Sequence, residues 1–111
     1  MMVLNKKDII TINLNPKKGH EVGKIRPCIV LSDDEENQIL DTIIVMPLST
    51  KLLDDMRPYR MRITKREKLL QDSDVLINQV RSISKARVGE KIAVLNDEEF
   101  SQLKIFLCEN I

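Results

Sequence analysis

The chain has 111 residues, of which 42% are hydrophobic and 32% are charged. This is an ordinary composition for a folded protein, and the length predicts a single domain over residues 1–111. The formal net charge is only +1, so the overall charge does not by itself indicate a nucleic-acid partner. The sequence has no apolar run of about 20 residues, which excludes a membrane-spanning helix. It also has no signal-peptide apolar region, which favours the cytoplasm.

Short strands are the main prediction for the first 94 residues. Alternating or continuous apolar residues predict strands over residues 10–14, 28–31, 43–46, 59–63, 75–77 together with Val80, and 92–94. The strand at 43–46 is apolar on both faces, so we expect it at the centre of the sheet and ending at Pro47. In the strand at 59–63 we expect the three apolar side chains to point inward and Arg60 and Arg62 to point outward.

Polar segments predict the connections between these strands. Residues 17–24 form a polar loop in which two glycines allow sharp bends or close approach to a ligand. The acidic residues 33–36, with Asn37, predict a turn. The stretch 85–94 is ambiguous, and Gly89 favours a turn within it.

The C-terminal segment predicts a helix. Asn96 is a good N-cap residue and Glu99 lies at the capping-box position. The helix then has an apolar stripe, formed by Phe100, Leu103, Phe106, Leu107 and Ile111. Several short strands followed by one helix predict a mainly β chain that closes into a small barrel.

The residue pattern offers one set of groups suited to cutting RNA. Cleavage by the neighbouring 2′-hydroxyl needs a base, donors that stabilise the phosphorane, and a proton for the leaving oxygen. Glu21 could serve as the base and Arg26 as a phosphate donor, while Ser49 and Thr50 add hydroxyl groups after the central strand. Equally, Arg26 could pair with Glu21 for structural reasons, and Thr50 could cap a turn.

The charge distribution and the few potential metal ligands limit the kinds of function that the sequence predicts. Basic residues dominate residues 57–68 and 81–91, so a nearly neutral chain can still present a basic face. With one histidine and no CxxC spacing between Cys28 and Cys108, we expect no metal or other cofactor. Both cysteines are expected to pack as small apolar residues.

Three blocks of sequence resemble the MazF/PemK toxin family in order and spacing. Residues 14–27 read LNPKKGHEVGKIRP and are similar to the opening signature of that family. Residues 46–50 read MPLST and are similar to its second block, and residues 78–89 read NQVRSISKARVG and are similar to its third. Residues 95–99 resemble the segment that opens the last helix of the family. The resemblance therefore covers nearly the whole chain.

This resemblance implies a fold and an activity. The fold would be an SH3-like barrel that forms a homodimer. The activity would be sequence-selective, metal-independent cleavage of single-stranded messenger RNA that leaves a 2′,3′-cyclic phosphate and a 5′-hydroxyl, with neutralisation by a cognate antitoxin protein. By position, Arg26 matches the catalytic arginine, Thr50 the hydroxyl at the scissile phosphate, and Glu21 an acidic residue implicated in activity. His20 matches a histidine of the PemK branch, and either Glu21 or His20 could be the general base. The residues expected to contact RNA are His20, Lys24, Ser49, Arg60, Arg62 and Arg81.

Departures from the family pattern leave two alternatives open. Leu76 and Asn78 stand where the PemK branch has a catalytic Arg/Asp pair, so the simpler mechanism with an arginine and a hydroxyl fits better. Asn78 and Ser84 each replace an Asp common in the third block, which keeps open an inactive relative that only binds RNA or an antitoxin. The same barrel also occurs in CcdB-like toxins, which bind gyrase and cut nothing, although that group lacks the block ending in Arg26.

Overall fold

A computed structural model describes residues 3–16, 19–20 and 24–111. The described chain contains seven strands, two α-helices and two short 3-10 helices. The strands are β1 (Asp8–Asn13), β2 (Ile25–Val30), β3 (Thr42–Ser49), β4 (Arg60–Ile63), β5 (Ser73–Leu76), β6 (Arg81–Ser84) and β7 (Val88–Val94). The helices are α1 (Asp34–Ile39) and α2 (Asp97–Glu109), and the 3-10 turns span Ile77–Gln79 and Lys85–Arg87.

All neighbouring strands pair antiparallel. The order is β4-β5-β3-β2-β1-β7, and β6 pairs with the first half of β3. The described residues give no pairing between β4 and β7, so the sheet curls without closing. The prediction of a mainly β chain with a C-terminal helix is confirmed, and its barrel is an open one. No helix in the described part of the chain is long and apolar enough to cross a membrane.

The central strand β3 is longer than predicted and runs through Pro47. One edge of β3 pairs with β6 up to Val45 and with β5 from Leu48 onward. Pro47 lies in the gap between these two partners, where the missing N–H of proline leaves no neighbour unpaired on that edge. The prediction that the strand ends at Pro47 was therefore wrong, and the longer β3 brings Ser49 to the end of the sheet.

The core fills both faces of the sheet. Because side chains alternate along a strand, neighbouring residues of β1 enter different clusters: Ile9 packs toward α2, and Ile10 packs on the opposite face. The α2 helix contributes three buried side chains, Phe100, Leu103 and Phe106. The predicted capping box is confirmed, since Asn96 and Glu99 exchange side-chain hydrogen bonds with backbone N–H groups. Ile111 is exposed, contrary to the predicted stripe.

Two of the predicted turns were wrong. The acidic segment begins α1, whose first turn holds three acidic residues that suit the positive end of a helix. Gly89 lies inside β7 at an irregularity in the β1–β7 pairing, where a Cβ atom would collide with the Thr11 hydroxyl. Glycine is therefore needed there for close approach of two strands, and no chain reversal occurs.

Other differences concern the later strands and Cys108. Ile77 belongs to a 3-10 turn, Val80 follows it, and β6 was not predicted. Tyr59 is exposed and precedes β4, although Met61 and Ile63 point inward as expected. Cys108 is exposed, contrary to the expectation that both cysteines are packed.

Candidate active site

Antiparallel pairing brings the start of β2 and the end of β3 to one end of the sheet. In the β2–β3 register, Cys28 lies opposite Pro47 and the strands run in opposite directions. Arg26 therefore lies near the last residues of β3, and its Nη1 approaches the carbonyl oxygen of Leu48 at 3.5 Å. The side chain is half-buried. The fold thus places the Arg26 guanidinium beside the Ser49–Thr50 strand end.

The two hydroxyl residues after β3 have different environments. Ser49 is buried, and its Oγ accepts a hydrogen bond of 3.1 Å from the backbone N–H of Lys51. Thr50 is exposed, and its hydroxyl has no hydrogen-bond partner among the described residues. Thr50 also lines a depression of about 150 Å³, together with residues that include Pro27 and Leu70. Of these two residues, Thr50 is the exposed one.

Arg81 and Arg26 lie on strands that flank β3, and both are near the buried Cys28. Arg81 is half-buried on β6, opposite Val45 of β3. Both arginines affect the pKa of the buried Cys28 thiol. Burial raises its pKa to about 12, and the positive charges of Arg81 and Arg26 partly oppose that rise. Two guanidinium groups therefore supply positive charge on this part of the sheet, and the Cys28 thiol stays protonated at neutral pH.

The loop between β1 and β2 is closed at its base by polar contacts. The Leu14 N–H donates to the Lys24 carbonyl at 2.8 Å, and the Lys24 N–H donates to Asn15 Oδ1 at 2.7 Å. Lys24 adopts a positive φ of 68°, a conformation uncommon for a residue with a side chain. Arg87 Nη1 donates to the carbonyl oxygens of Asn15 at 2.6 Å and Asn13 at 3.3 Å.

The structure describes only some of the loop residues that were predicted to belong to the site. His20 and Lys24 are both exposed. Glu21, the predicted base, lies outside the described residues, so its role rests on the sequence motif alone. Arg87 was not among the predicted site residues. Its place in the third sequence block, residues 78–89, was the signal that could have indicated a role near the loop.

Arg60 and Arg62 are ion-paired on β4. Arg60 Nη1 lies 3.1 Å from Asp74 Oδ2, and Arg62 Nε lies 2.9 Å from Asp74 Oδ1. Arg62 also pairs with the exposed Asp54 at 2.7 Å. These two arginines therefore lie beside the segment that follows Thr50, but much of their charge is engaged by carboxylates.

Sequence reasoning missed Asp74, which is 1% exposed on β5. Burial alone would raise the pKa of its carboxyl. Hydrogen bonds from Arg62, the Leu53 N–H and Arg60 outweigh that effect and hold the pKa below its usual value. No sequence signal indicated it, because Asp74 precedes the predicted strand at 75–77 and its partners lie on β4. Within the described part of the chain, no three His, Cys, Asp or Glu residues are grouped so that they could hold a metal ion.

Comparison with known proteins is consistent with the predicted resemblance. Residues 5–111 match the sequence model of the "PemK-like, MazF-like toxin of type II toxin-antitoxin system" family. The chain is 29% identical over 102 residues to the protein named Endoribonuclease MazF of Staphylococcus saprophyticus. That match covers 91% of this chain and 85% of the relative.

Solved structures of similar fold include toxins alone and in complexes. The crystal structure of MazF (Form-I) from Deinococcus radiodurans has a TM-score of 0.83 at 22% identity, covering 99% of this chain and 97% of that chain. The MazE-MazF (Form-II) structure from the same organism has a TM-score of 0.79 at 20% identity, with coverage of 99% and 96%. An endoribonuclease in complex with its cognate antitoxin from a mycobacterial species has a TM-score of 0.76 at 11% identity, with coverage of 96% and 92%.

At identities of 11–22%, the likeness to these structures shows a shared fold alone. The family model matches the chain from residue 5 to residue 111, which includes both strand ends that carry Arg26 and Thr50. The chain therefore belongs to the family of PemK-like, MazF-like toxins of type II toxin–antitoxin systems.

Proposed function

We propose that this chain is a toxin endoribonuclease that cuts single-stranded RNA at selected sequences without a metal ion. The observation that carries the proposal is that the half-buried Arg26 guanidinium approaches the Leu48 carbonyl, two residues before the exposed Thr50, at one end of the sheet. Family membership and a relative named an endoribonuclease support the reaction class. The proposed substrate is messenger RNA. Residues 1–111 form the single domain that binds and cuts it in this proposal.

The proposed reaction is transesterification within the RNA strand. The 2′-oxygen attacks the adjacent phosphorus, its proton passes to a base, and the bond between phosphorus and the 5′-oxygen breaks. A proton reaches the departing 5′-oxygen, so the products are a 2′,3′-cyclic phosphate and a 5′-hydroxyl. Glu21 is the proposed base. Arg26 stabilises the charge on the phosphorane, because its planar donors match phosphate oxygens, and Thr50 donates to the scissile phosphate.

Substrate binding is assigned to the groups around this pair. His20 and Lys24 lie exposed on the β1–β2 loop that leads into Arg26, and Arg81 lies half-buried on β6. The RNA contacts predicted from sequence at Ser49, Arg60 and Arg62 lie on the Thr50 side, where the structure gives these residues other partners. Ser49 is buried, and carboxylates engage much of the charge on the two arginines. Lysine and arginine contacts to phosphates make binding dependent on salt.

The proposed partners follow from the family. A cognate antitoxin protein neutralises the toxin, and two copies of the chain form a homodimer in the cytoplasm. Solved relatives of the same fold include an endoribonuclease with its cognate antitoxin and a MazE-MazF complex, which support an antitoxin partner.

The test is cleavage of a long, mixed-sequence single-stranded RNA in excess EDTA, with fragment ends mapped. Wild type should give discrete fragments with cyclic-phosphate ends. The Arg26→Ala variant should cleave about 10²–10³ times more slowly, as expected when a transition-state donor is removed. Arg26→Lys is the matched control, because it keeps the charge and loses the forked geometry, and it should retain intermediate activity.

Three outcomes would contradict the proposal. Equal rates for wild type and Arg26→Ala would remove Arg26 from the reaction. RNAs of several sequences that all bind but stay intact would favour an inactive relative. Inhibition of gyrase supercoiling without RNA cleavage would favour a CcdB-like toxin.

A further inference from the structure

We propose that Asp74, Arg60 and Arg62 form a positioning unit that fixes the segment after β3 and thereby holds the Thr50 hydroxyl at the site. This inference rests on the proposed function and assigns the two arginines a role different from RNA contact. Asp74 lies opposite Ser49 in the β3–β5 pairing, directly beside the strand end that carries Thr50.

The segment after Thr50 is hydrogen-bonded to this unit at Lys51 and Leu53. The Leu53 N–H donates to Asp74 Oδ2 at 2.9 Å. Arg60 Nη1 donates to the Lys51 carbonyl at 2.9 Å and to Asp74 at 3.1 Å. Because the Lys51 N–H also donates to Ser49 Oγ, both backbone groups of the residue after Thr50 are held. Thr50 therefore lies between a strand end and a fixed residue.

Arg62 completes the unit from the side away from Thr50. Its Nε donates to Asp74 at 2.9 Å and its Nη1 to Asp54 at 2.7 Å. Asp74 thus receives hydrogen bonds from two guanidinium groups and one backbone N–H. A carboxylate that is 1% exposed keeps its charge only with such partners. Loss of the Asp74 charge would leave two arginines without their shared partner and the Leu53 N–H with a weaker acceptor.

The chain offers a matched control for Asp74. Asp8 is 2% exposed on β1, accepts a hydrogen bond from the Asn5 N–H at 2.9 Å, and pairs with Lys91 at 3.0 Å. It begins β1, whose other end reaches Asn13, opposite Ile25 beside the site. Asp8→Asn therefore removes an equally buried carboxylate from the opposite end of the same sheet.

The experiment measures single-turnover cleavage of RNA as a function of protein concentration. It thereby separates the rate at saturation from the concentration that gives half of that rate. For Asp74→Asn we expect the saturated rate to fall about 10- to 100-fold, since small displacements of a reacting group cost this much. The half-saturating concentration should change by less than about threefold, as for groups that act on the reaction step rather than on binding. Asp8→Asn should match wild type in both quantities.

Arg60→Gln distinguishes positioning from RNA contact and does not depend on Asp74→Asn folding. As a positioning residue, Arg60 should affect the saturated rate and leave the salt dependence of RNA binding unchanged. As a phosphate contact, it should weaken binding, reduce the salt slope by about 1, and leave the saturated rate intact. Hydrogen exchange at the Lys51 and Leu53 amides should accelerate in Asp74→Asn and stay unchanged in Asp8→Asn.

The outcomes separate this inference from the proposed function. A wild-type chain that cuts no RNA overturns the proposed function and the positioning role with it. A wild-type chain that cuts RNA, with an Asp74→Asn variant of equal saturated rate, overturns the positioning role alone. An Arg60→Gln variant that changes only the salt slope also overturns it and returns Arg60 to RNA contact.

Discussion

The two segments that border the candidate site are anchored by different means. The β1–β2 loop, residues 14–24, is closed by backbone hydrogen bonds, by Asn15 and by the guanidinium of Arg87. The segment after β3, residues 50–54, is attached to the buried carboxylate of Asp74 and its two arginines. A buried charge with several donors holds its surroundings more rigidly than exposed polar contacts do. The Thr50 side is therefore held by a buried charge, whereas the base of the loop, at Asn15 and Lys24, is held by exposed contacts.

The sharpest test of this contrast is removal of the Thr50 hydroxyl. Thr50→Val keeps the branched shape and loses the donor, so we expect turnover to fall roughly 10²-fold if the Thr50 side supplies a transition-state contact. Thr50→Ser restores a hydroxyl in the same place and should recover most of the rate. The assay is single-turnover cleavage at saturating protein. A Val variant as fast as wild type would show that the hydroxyl takes no part in the reaction.

A smaller effect is expected from loosening the loop side. Arg87→Gln removes the guanidinium that bridges the Asn13 and Asn15 carbonyls, so we expect about a tenfold slower reaction. The free energy of unfolding should fall by about 1–2 kcal/mol, as for a lost hydrogen bond to a charged group. Cleavage assays and urea unfolding measure the two effects.

Lys85→Gln is the control for Arg87, since it removes a charge from the same 3-10 turn. Its side chain makes no hydrogen bond or ion pair with the described residues. If the Lys85 and Arg87 variants behave alike, the loss reflects net charge and not the anchoring of the loop.

The smallest effect is the acid dependence of stability that Asp74 contributes on the Thr50 side. The pKa of Asp74 is lower in the folded chain than its usual value, which in the unfolded chain is about 3.9. Its contribution to stability is therefore complete above about pH 4 and is lost as the pH falls through the folded-state pKa. Thermal unfolding from about pH 7 down to about pH 2 should show the difference between wild type and Asp74→Asn shrinking toward acid.

Glu99 gives an independent check on the sign of this effect. A hydrogen bond from Arg66 lowers its pKa too, so Glu99→Gln should converge with wild type in the same direction. A difference that widened toward acid in either variant would mean that the carboxylate is not stabilised in its charged form.

The parts of the fold that sequence predicted are those with local signals. The N-cap residue Asn96 and Glu99 act within one helical turn, and the strand at 43–46 is a continuous apolar run. Strand β6 was missed because Ile83 is its one buried residue, so no alternation marks it. Helix α1 was missed because its buried residue is polar: Asn37 donates to the carbonyl oxygens of Leu4 and Ser32.

The residues of the candidate site also separate into those that a local sequence signal predicts and those that depend on the fold. Arg26 and Thr50 could be proposed from motif position, and the register of β2 and β3 brings them to one end of the sheet. Asp74 could not, because its importance depends on Arg60 and Arg62, which lie on another strand. Interactions between strands are set by the fold, and a sequence window does not contain them. The assignment of Glu21 remains a prediction.

The structural role of Gly89 affects what its presence in a related sequence indicates about activity. It closes the third sequence block, yet its role in the fold is to let β7 approach Thr11 of β1, whose Oγ1 accepts a hydrogen bond from the Glu90 N–H. Selection for folding alone would preserve this glycine. A descendant that had lost its chemistry would therefore still carry this part of the signature, and under the proposed function the loss of activity would first be recorded at positions 26 and 50.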